Sequence, residues 1–255
     1  MVMEEPAYRR IPFRDRSGYL LDPGNAGHEF LSVRHSASIP PWTDEDVHLH
    51  GASEEFYLLV QGELAFLICD RRLDLHPGEI LMLKPNVPHA IVHGSGLIEH
   101  FGFRAPALPD RRSLGPLPPD IPGPIDFAPR ELRAEWGYRA PLYDSINKNS
   151  WSIGYGKARF PSSRLVFAFL DFQSHEEANE GIGTRHRLHL HRESWEYYVV
   201  LQGAKTLLID GQAVTVTPGE MLEVRPGVRH ALLGRQAPYL GFTFRVPALD
   251  DKVEF

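Results

Sequence analysis

The chain has 255 residues, 42% apolar and 24% charged, which is the make-up of an ordinary globular protein with room for one large domain or two smaller ones. Its formal net charge of −6 argues against a nucleic-acid partner, which calls for clustered Lys and Arg. No apolar run reaches the roughly 18 residues of a membrane span, and one cysteine, Cys69, excludes an internal disulfide.

In chain order, the start MVMEEPAYRR lacks the basic-then-apolar order of a signal peptide, so a cytoplasmic location is expected. The first clear strand is 55–60, an aromatic and aliphatic run that leads to Gly62. Cys69 closes the apolar run Phe66-Leu67-Ile68 and reads as a small packed strand residue rather than a nucleophile. Pro77-Gly78 opens a strand over 79–83. Residues 109–129 hold Pro109, Pro116, Pro118, Pro119, Pro122, Pro124 and Pro129; proline removes donors, so a semi-rigid connector is expected, not a strand. Residues 129–137 predict a short helix with proline in its first turn and glycine at its end. β structure resumes over 138–175, most clearly at 165–170. The polar stretch 175–187, with Gly181 and Gly183, reads as a loop able to cover the histidines at 189 and 191. After a strand at 196–201, residues 207–209 and 214–216 predict a hairpin, because Asp210-Gly211 accepts the positive φ angles of a tight turn. Pro218-Gly219 opens a last strand over 220–224. Short strands at this spacing predict an all-β sandwich or barrel.

Much of this pattern is one unit written twice. Residues 48–108 align without a gap on 189–249, 141 positions later, and 24 of the 61 pairs are identical. Unrelated segments would share about four. Such a repeat predicts a duplicated domain. It also duplicates a set of residues with metal-ligand chemistry: His48, His50, Glu55 and His89 fall on His189, His191, Glu196 and His230. Two histidines spaced by one residue point to the same side of a strand. Three imidazoles and a carboxylate suit a divalent transition metal, Mn, Fe, Ni, Zn or Co, and leave positions open for substrate.

The spacing resembles the two conserved motifs of the cupin superfamily. The first reads H-x-H, four residues, Glu, six residues, Gly, at His48 to Gly62 and His189 to Gly203. The second reads Gly, five residues, a Pro-containing turn, His, at Gly78 to His89 and Gly219 to His230. The chain departs from the family pattern in its turns: Lys84 and Arg225 replace a proline, Asn86 replaces a glycine, and Trp42 stands six before His48 where a glycine is usual. Asn86 tolerates the left-handed conformation, so that turn should survive. The resemblance implies two antiparallel β-barrels of the jelly-roll (double-stranded β-helix) type in tandem: 1–110, a Pro-rich linker with a short helix over 111–137, and 138–255. It implies one metal per barrel on the eight residues named. It does not name a reaction, since the family spans oxygenases, decarboxylases, isomerases, hydrolases and binders.

Around these ligands, Tyr57 and Tyr198 follow each glutamate by two residues and share its face, either to donate to substrate or to fill the barrel. Glu55, Tyr57, Glu196 and Tyr198 are therefore the candidate catalytic residues. His93 lies four beyond His89 and has Gly234 as its counterpart, so it reads as a rim group. Arg104 and Arg245 read as strand-end ion pairs. The expected activity is metal-dependent chemistry on a small oxygen-rich molecule, dioxygenase-like foremost, with decarboxylase, isomerase or aminohydrolase as other enzyme classes. Oxalate decarboxylase, a bicupin, has three residues before its glutamate and an arginine three before its first histidine; here the spacing is four, with Glu45 or His186 at that place. The alternative is a non-catalytic binder of a small molecule or sugar. No membrane partner is expected, and a homodimer is compatible with the sequence. The two mouths differ at Gly51 and Arg192, and at Glu54 and Trp195. Arg185, Arg187 and Arg192 make the second mouth basic, so an anionic substrate and the main activity are expected in the C-terminal barrel.

Overall fold

The computed structural model describes residues 6–38, 43–121, 135–141, 151–153, 162, 164–184 and 186–255. Its strands in chain order are β1 Tyr8–Pro12, β2 Gly18–Leu21, β3 Ser32–Ser38, β4 Asp46–His50, β5 Glu54–Ile68, β6 Arg71–Leu75, β7 Glu79–Leu83, β8 His89–Ala105, β9 Arg111–Pro116, β10 Gly137–Pro141, β11 Trp151–Ile153 and β12 Val166–Phe172. A helix, α1 His175–Asn179, follows, and then β13 His189–His191, β14 Trp195–Ile209, β15 Gln212–Val216, β16 Glu220–Val224, β17 His230–Val246 and β18 Lys252–Glu254. The strands form two antiparallel barrels. One unit is Arg16–Leu142 and the other is Met1–Asp15 with Tyr143–Phe255.

In the first unit the sheet order is β10-β7-β5-β8-β3-β2, with β4 on β8 and β9 and β6 on β5. The second repeats it as β1-β16-β14-β17-β12-β11, with β13 on β17 and β18 and β15 on β14. The barrels close because their longest strands bend. β5 and β8 pair over 15 and 17 residues, but their register shifts around Gly62 and again between Ala65 and Phe66. Gly62 has φ 83°, and a Cβ there would stand 2.7 Å from the Leu97 carbonyl oxygen. Gly203 does the same for β14 at φ 74°. Each barrel then encloses its own core, Leu59, Leu64, Phe66, Ile68, Leu81 and Leu83 in the first and Val200, Leu207, Ile209, Leu222 and Val224 in the second.

The expected hairpin is present, with Asp210 at φ 45° and Gly211 at 82°. Asn86, at φ 65°, holds the same turn as Gly227 at 79°. Three expectations need correction. The proline-rich stretch contains a strand: β9 pairs with β4 from Asp46 to His50, because its residues 111–115 carry no proline and Pro116 stands at the end. Residues 175–179 are a helix rather than loop, capped by Ser174, whose hydroxyl accepts from the Glu177 N–H. Cys69 lies in the turn after β5 at φ 55°, packed against the core from outside the strand. His93, read as a rim group, is exposed, and the register shift after Ala65 turns its side chain away from the face that His89 and Ile91 share. The expected helix over 129–137 falls mostly outside the described residues, and Gly137, its expected end, opens β10.

The units also differ from a split at 110 and 138. Residues 8–12 pair along β16, and Arg9 and Arg10 meet Glu223 at 2.7 Å and Glu220 at 3.2 Å. β10 pairs with β7, the counterpart of β16, and Arg139 meets Glu79 at 3.0 Å. Among the described residues, no helix is long and apolar enough to cross a membrane.

Candidate metal centres and the adjoining cavity

β4 and β13 each present two histidines to the barrel interior, β5 and β14 supply the glutamate, and β8 and β17 begin with the third histidine. His48 is in register with His89, and His189 with His230, so the sheet itself sets their spacing. In the C-terminal barrel the ligating atoms of His189, His191, Glu196 and His230 all lie within 4.8 Å of one another. In the N-terminal barrel His48, Glu55 and His89 do so. His50 stands slightly apart from that set, with its Nε2 3.3 Å from Glu55 Oε2.

The outward ring nitrogens are committed. His89 Nδ1 faces the Val87 carbonyl at 2.9 Å, His230 Nδ1 the Val228 carbonyl at 2.9 Å, and His189 Nδ1 the Arg187 carbonyl at 2.8 Å. His50 and His191 instead meet carboxylates, Asp110 at 2.9 Å and Asp251 at 3.0 Å. Asp110 also accepts from the N–H groups of Ala52 and Ser53, and Asp251 from those of Glu193 and Ser194. These two aspartates were not singled out in the sequence, although they too are 141 residues apart, as are Ser53 and Ser194.

With Nδ1 donating outward, the Nε2 lone pairs point at the glutamates: His89 Nε2 to Glu55 at 2.8 Å and His230 Nε2 to Glu196 at 2.8 Å. A neutral imidazole has one N–H, yet both nitrogens of His89 and His230 face acceptors. A cation between Nε2 and the carboxylate resolves that conflict, so the donor set fits a bound metal. Burial opposes charge on Glu55, but the facing His50 and His89 imidazoles hold its carboxyl well below the usual range. Glu196 is held down in the same way by His189, His191 and His230. Burial, then the field of His89, lowers His48 to about 4. Buried Tyr57 and Tyr198 hydrogen-bond to Glu55 and Glu196, and burial with the glutamate's charge keeps each phenol protonated.

A cavity of about 220 Å³ adjoins the N-terminal group. His48, His50, Glu55 and Tyr57 line it, with Asp44, His100 and the arginines Arg34, Arg104 and Arg111. Asp44 Oδ2 accepts from the Ile91 N–H at 2.7 Å, and burial raises its pKa. His100 is driven to about 3 by burial, then by the charge of Arg34. The expectation that only the second mouth gathers arginines is therefore corrected. Arg34 and Arg111 come from β3 and β9, outside the repeated window, and so escaped the comparison of the two copies. Arg187 and Arg192 do sit beside the second group; Arg185 lies outside the described residues. Arg245 Nη1 lies 3.1 and 3.2 Å from the two ring nitrogens of His191, and its Nη2 donates to the Leu249 carbonyl at 3.1 Å, while Arg104 lines the cavity, so each arginine lies at its site.

The cupin domain model matches residues 35–96 and 179–236. No curated protein matches the chain. Among solved structures, a mutant of Bacillus subtilis oxalate decarboxylase is similar over 98% of this chain and 80% of its own, at 14% identity and a TM-score of 0.64. The Lactobacillus farciminis oxalate decarboxylase formate complex is similar over 100% and 90%, at 13% identity and 0.63. Likeness at that identity carries the fold and not the reaction. With the domain matched twice and the same two-barrel architecture, the chain belongs to the cupin superfamily, as a bicupin.

Proposed function

We propose that the protein is a metal-dependent enzyme that cleaves or rearranges a small, anionic, oxygen-rich molecule, and that the N-terminal barrel is the reaction site. The observation that carries this reading is the 220 Å³ cavity that joins three arginines to His48, His50 and Glu55. His48, His50, Glu55 and His89 would hold a divalent metal, and His189, His191, Glu196 and His230 a second. Such an ion supplies Lewis acidity toward chelating oxygens, or a partner for dioxygen. Arg34, Arg104 and Arg111 match the charge of a carboxylate, which guanidinium groups bind through paired N–H donors. Tyr57 donates to Glu55 and fixes its orientation. Asp44 has one oxygen tied to Ile91 and a raised pKa, so its other oxygen is placed to hold a proton and pass it to substrate.

Two reaction classes fit this arrangement. Oxidative cleavage consumes dioxygen, whereas decarboxylation releases carbon dioxide and needs a proton donor, a role Asp44 suits. Dioxygen uptake and carbon dioxide release over a panel of small hydroxy-, oxo- and dicarboxylic acids separate them. Glu55→Ala should abolish most turnover and Glu196→Ala should spare it. The reverse order would move the reaction to the other barrel, and equal losses would overturn the assignment to one barrel. Tight ligand binding without product in any combination would favour the binder.

A further inference from the structure

The two barrels part company at one pair of positions. Lys205 and Arg235 face each other in register across β14 and β17. At the same register the N-terminal barrel has Leu64 opposite Gly94. One copy fills this part of its wall with a leucine, and the other with two cations. Both are buried, Lys205 at 3% exposure and Arg235 at 7%. Like charges directly opposite on a sheet repel, and buried charges are normally paired.

Neither cation has an acidic hydrogen-bond partner among the described residues. Lys205 Nζ donates to Thr243 Oγ1 at 3.3 Å and sits 4.0 Å over the Tyr198 ring. Arg235 lies over Phe172 and Tyr239, at 5.1 and 5.7 Å, and donates to the Ala178 carbonyl at 2.5 Å. Arg235 Nε and Tyr239 Oη are buried without a hydrogen-bond partner. The carboxylate whose field reaches Lys205 is Glu196, already engaged by His189, His191 and His230. Burial, then repulsion from Arg235, pushes the Lys205 ammonium well below the usual lysine range. Burial and the fields of Arg235 and Lys205 also lower His186 to about 4. Arg235 is among the residues that line a groove of about 540 Å³ beside α1, with Asn179 and Gly234.

We propose that the C-terminal barrel binds a small carboxylate at Lys205 and Arg235, with Tyr239 as a further donor. A planar guanidinium beside an ammonium offers the divergent N–H donors that two carboxylate oxygens accept. The anion supplies the negative charge that this wall lacks, and the N-terminal barrel, with Leu64 and Gly94, cannot hold one there. This site does not depend on which barrel reacts, or on a metal being present.

The test is calorimetric titration of the full chain with malonate, malonamide and inorganic phosphate, with thermal melts and elemental analysis of the same samples. Lys205→Leu imports the residue that the other barrel uses. The expected result is one malonate fewer per chain in Lys205→Leu than in the wild type, no binding of malonamide, and retention of the site in Lys205→Arg. Without ligand, Lys205→Leu should melt no lower than the wild type, since a repulsion has gone, whereas a lysine that only supports structure would leave it less stable. Arg235→Gln should lose the same malonate and provides the comparison if Lys205→Leu does not fold. Absence of malonate binding to the wild type, unchanged stoichiometry in both variants, or a preference for phosphate would overturn the proposal. Protein that takes up no metal in the elemental analysis but still binds malonate at this site would sink the metal reading and leave this one standing.

Discussion

At the scale of single residues, the two centres depend on groups that touch no substrate. Asp110 and Asp251 each hold one ligand histidine and two backbone N–H groups in place. Groups of this kind typically tune metal affinity by about 10- to 100-fold. Asp110→Ala should therefore weaken the N-terminal metal by about that factor and leave the C-terminal one unchanged, and Asp251→Ala should do the reverse, as read by chelator competition. A second expectation concerns buried imidazoles. His48 and His186 are lowered to about 4 and His100 to about 3, in each case chiefly by burial. The unfolded chain takes up these protons near pH 6.5. The folded chain does not until pH 3 to 4, so the stability they contribute is present above pH 6.5 and is lost as pH falls through that window. Denaturant titrations of metal-stripped protein should show the loss, and His100→Leu should make it shallower; a profile that stays flat from pH 7 to 4 would refute the assignment.

At the scale of elements, the strand that carries each histidine pair is held mainly by a strand from outside the repeated window. β4 meets β8 only at His48 and His89, but runs along β9 for its whole length. β13 likewise meets β17 at one pair and β18 at three. Removing Lys252–Phe255 should loosen β13 and lower metal content from about two to about one per chain, with the N-terminal centre retained; an unchanged content would show that β18 is dispensable. These supports explain what could be read from the sequence. The ligands, the long strands and the hairpin turn sit inside the gapless repeat, where each copy vouches for the other. β9 was hidden by prolines that bracket it rather than interrupt it. α1 has only five residues, and its sole local signal is the Ser174-to-Glu177 cap. The bulge that carries His93 outward was not legible, because alternation holds only until a bulge, and a bulge depends on the partner strand. Lys205 and Arg235 showed in the alignment merely as mismatches, and their meaning needed the cross-strand register.

At the scale of the whole molecule, the repeat does not coincide with the compact units. β1 lies ahead of the N-terminal barrel in the chain but pairs in the sheet of the C-terminal one. Arg9 reaches Glu223, which is 1% exposed, so Arg9→Ala removes a charged hydrogen bond from a buried carboxylate and should cost about 1–3 kcal/mol in the unit that contains Tyr143–Phe255. Deletion of residues 1–15 should lower the melting transition of that unit more than the other; a larger effect on Arg16–Leu142 would contradict the assignment. The arms themselves are duplicates, Arg10 on Glu220 and Arg139 on Glu79, and those glutamates are again 141 residues apart. This speaks to ancestry. In a forebear with a single barrel and a single such arm ahead of it, an arm that paired as β1 and β10 do would have lain on the sheet of a second chain. Gene fusion would then have turned an exchange between molecules into one within a molecule. On that account, dividing the present gene at residue 143 should return a fragment 143–255 that is unstable alone, having lost β1, and that regains metal binding when expressed together with 1–142, which keeps β10.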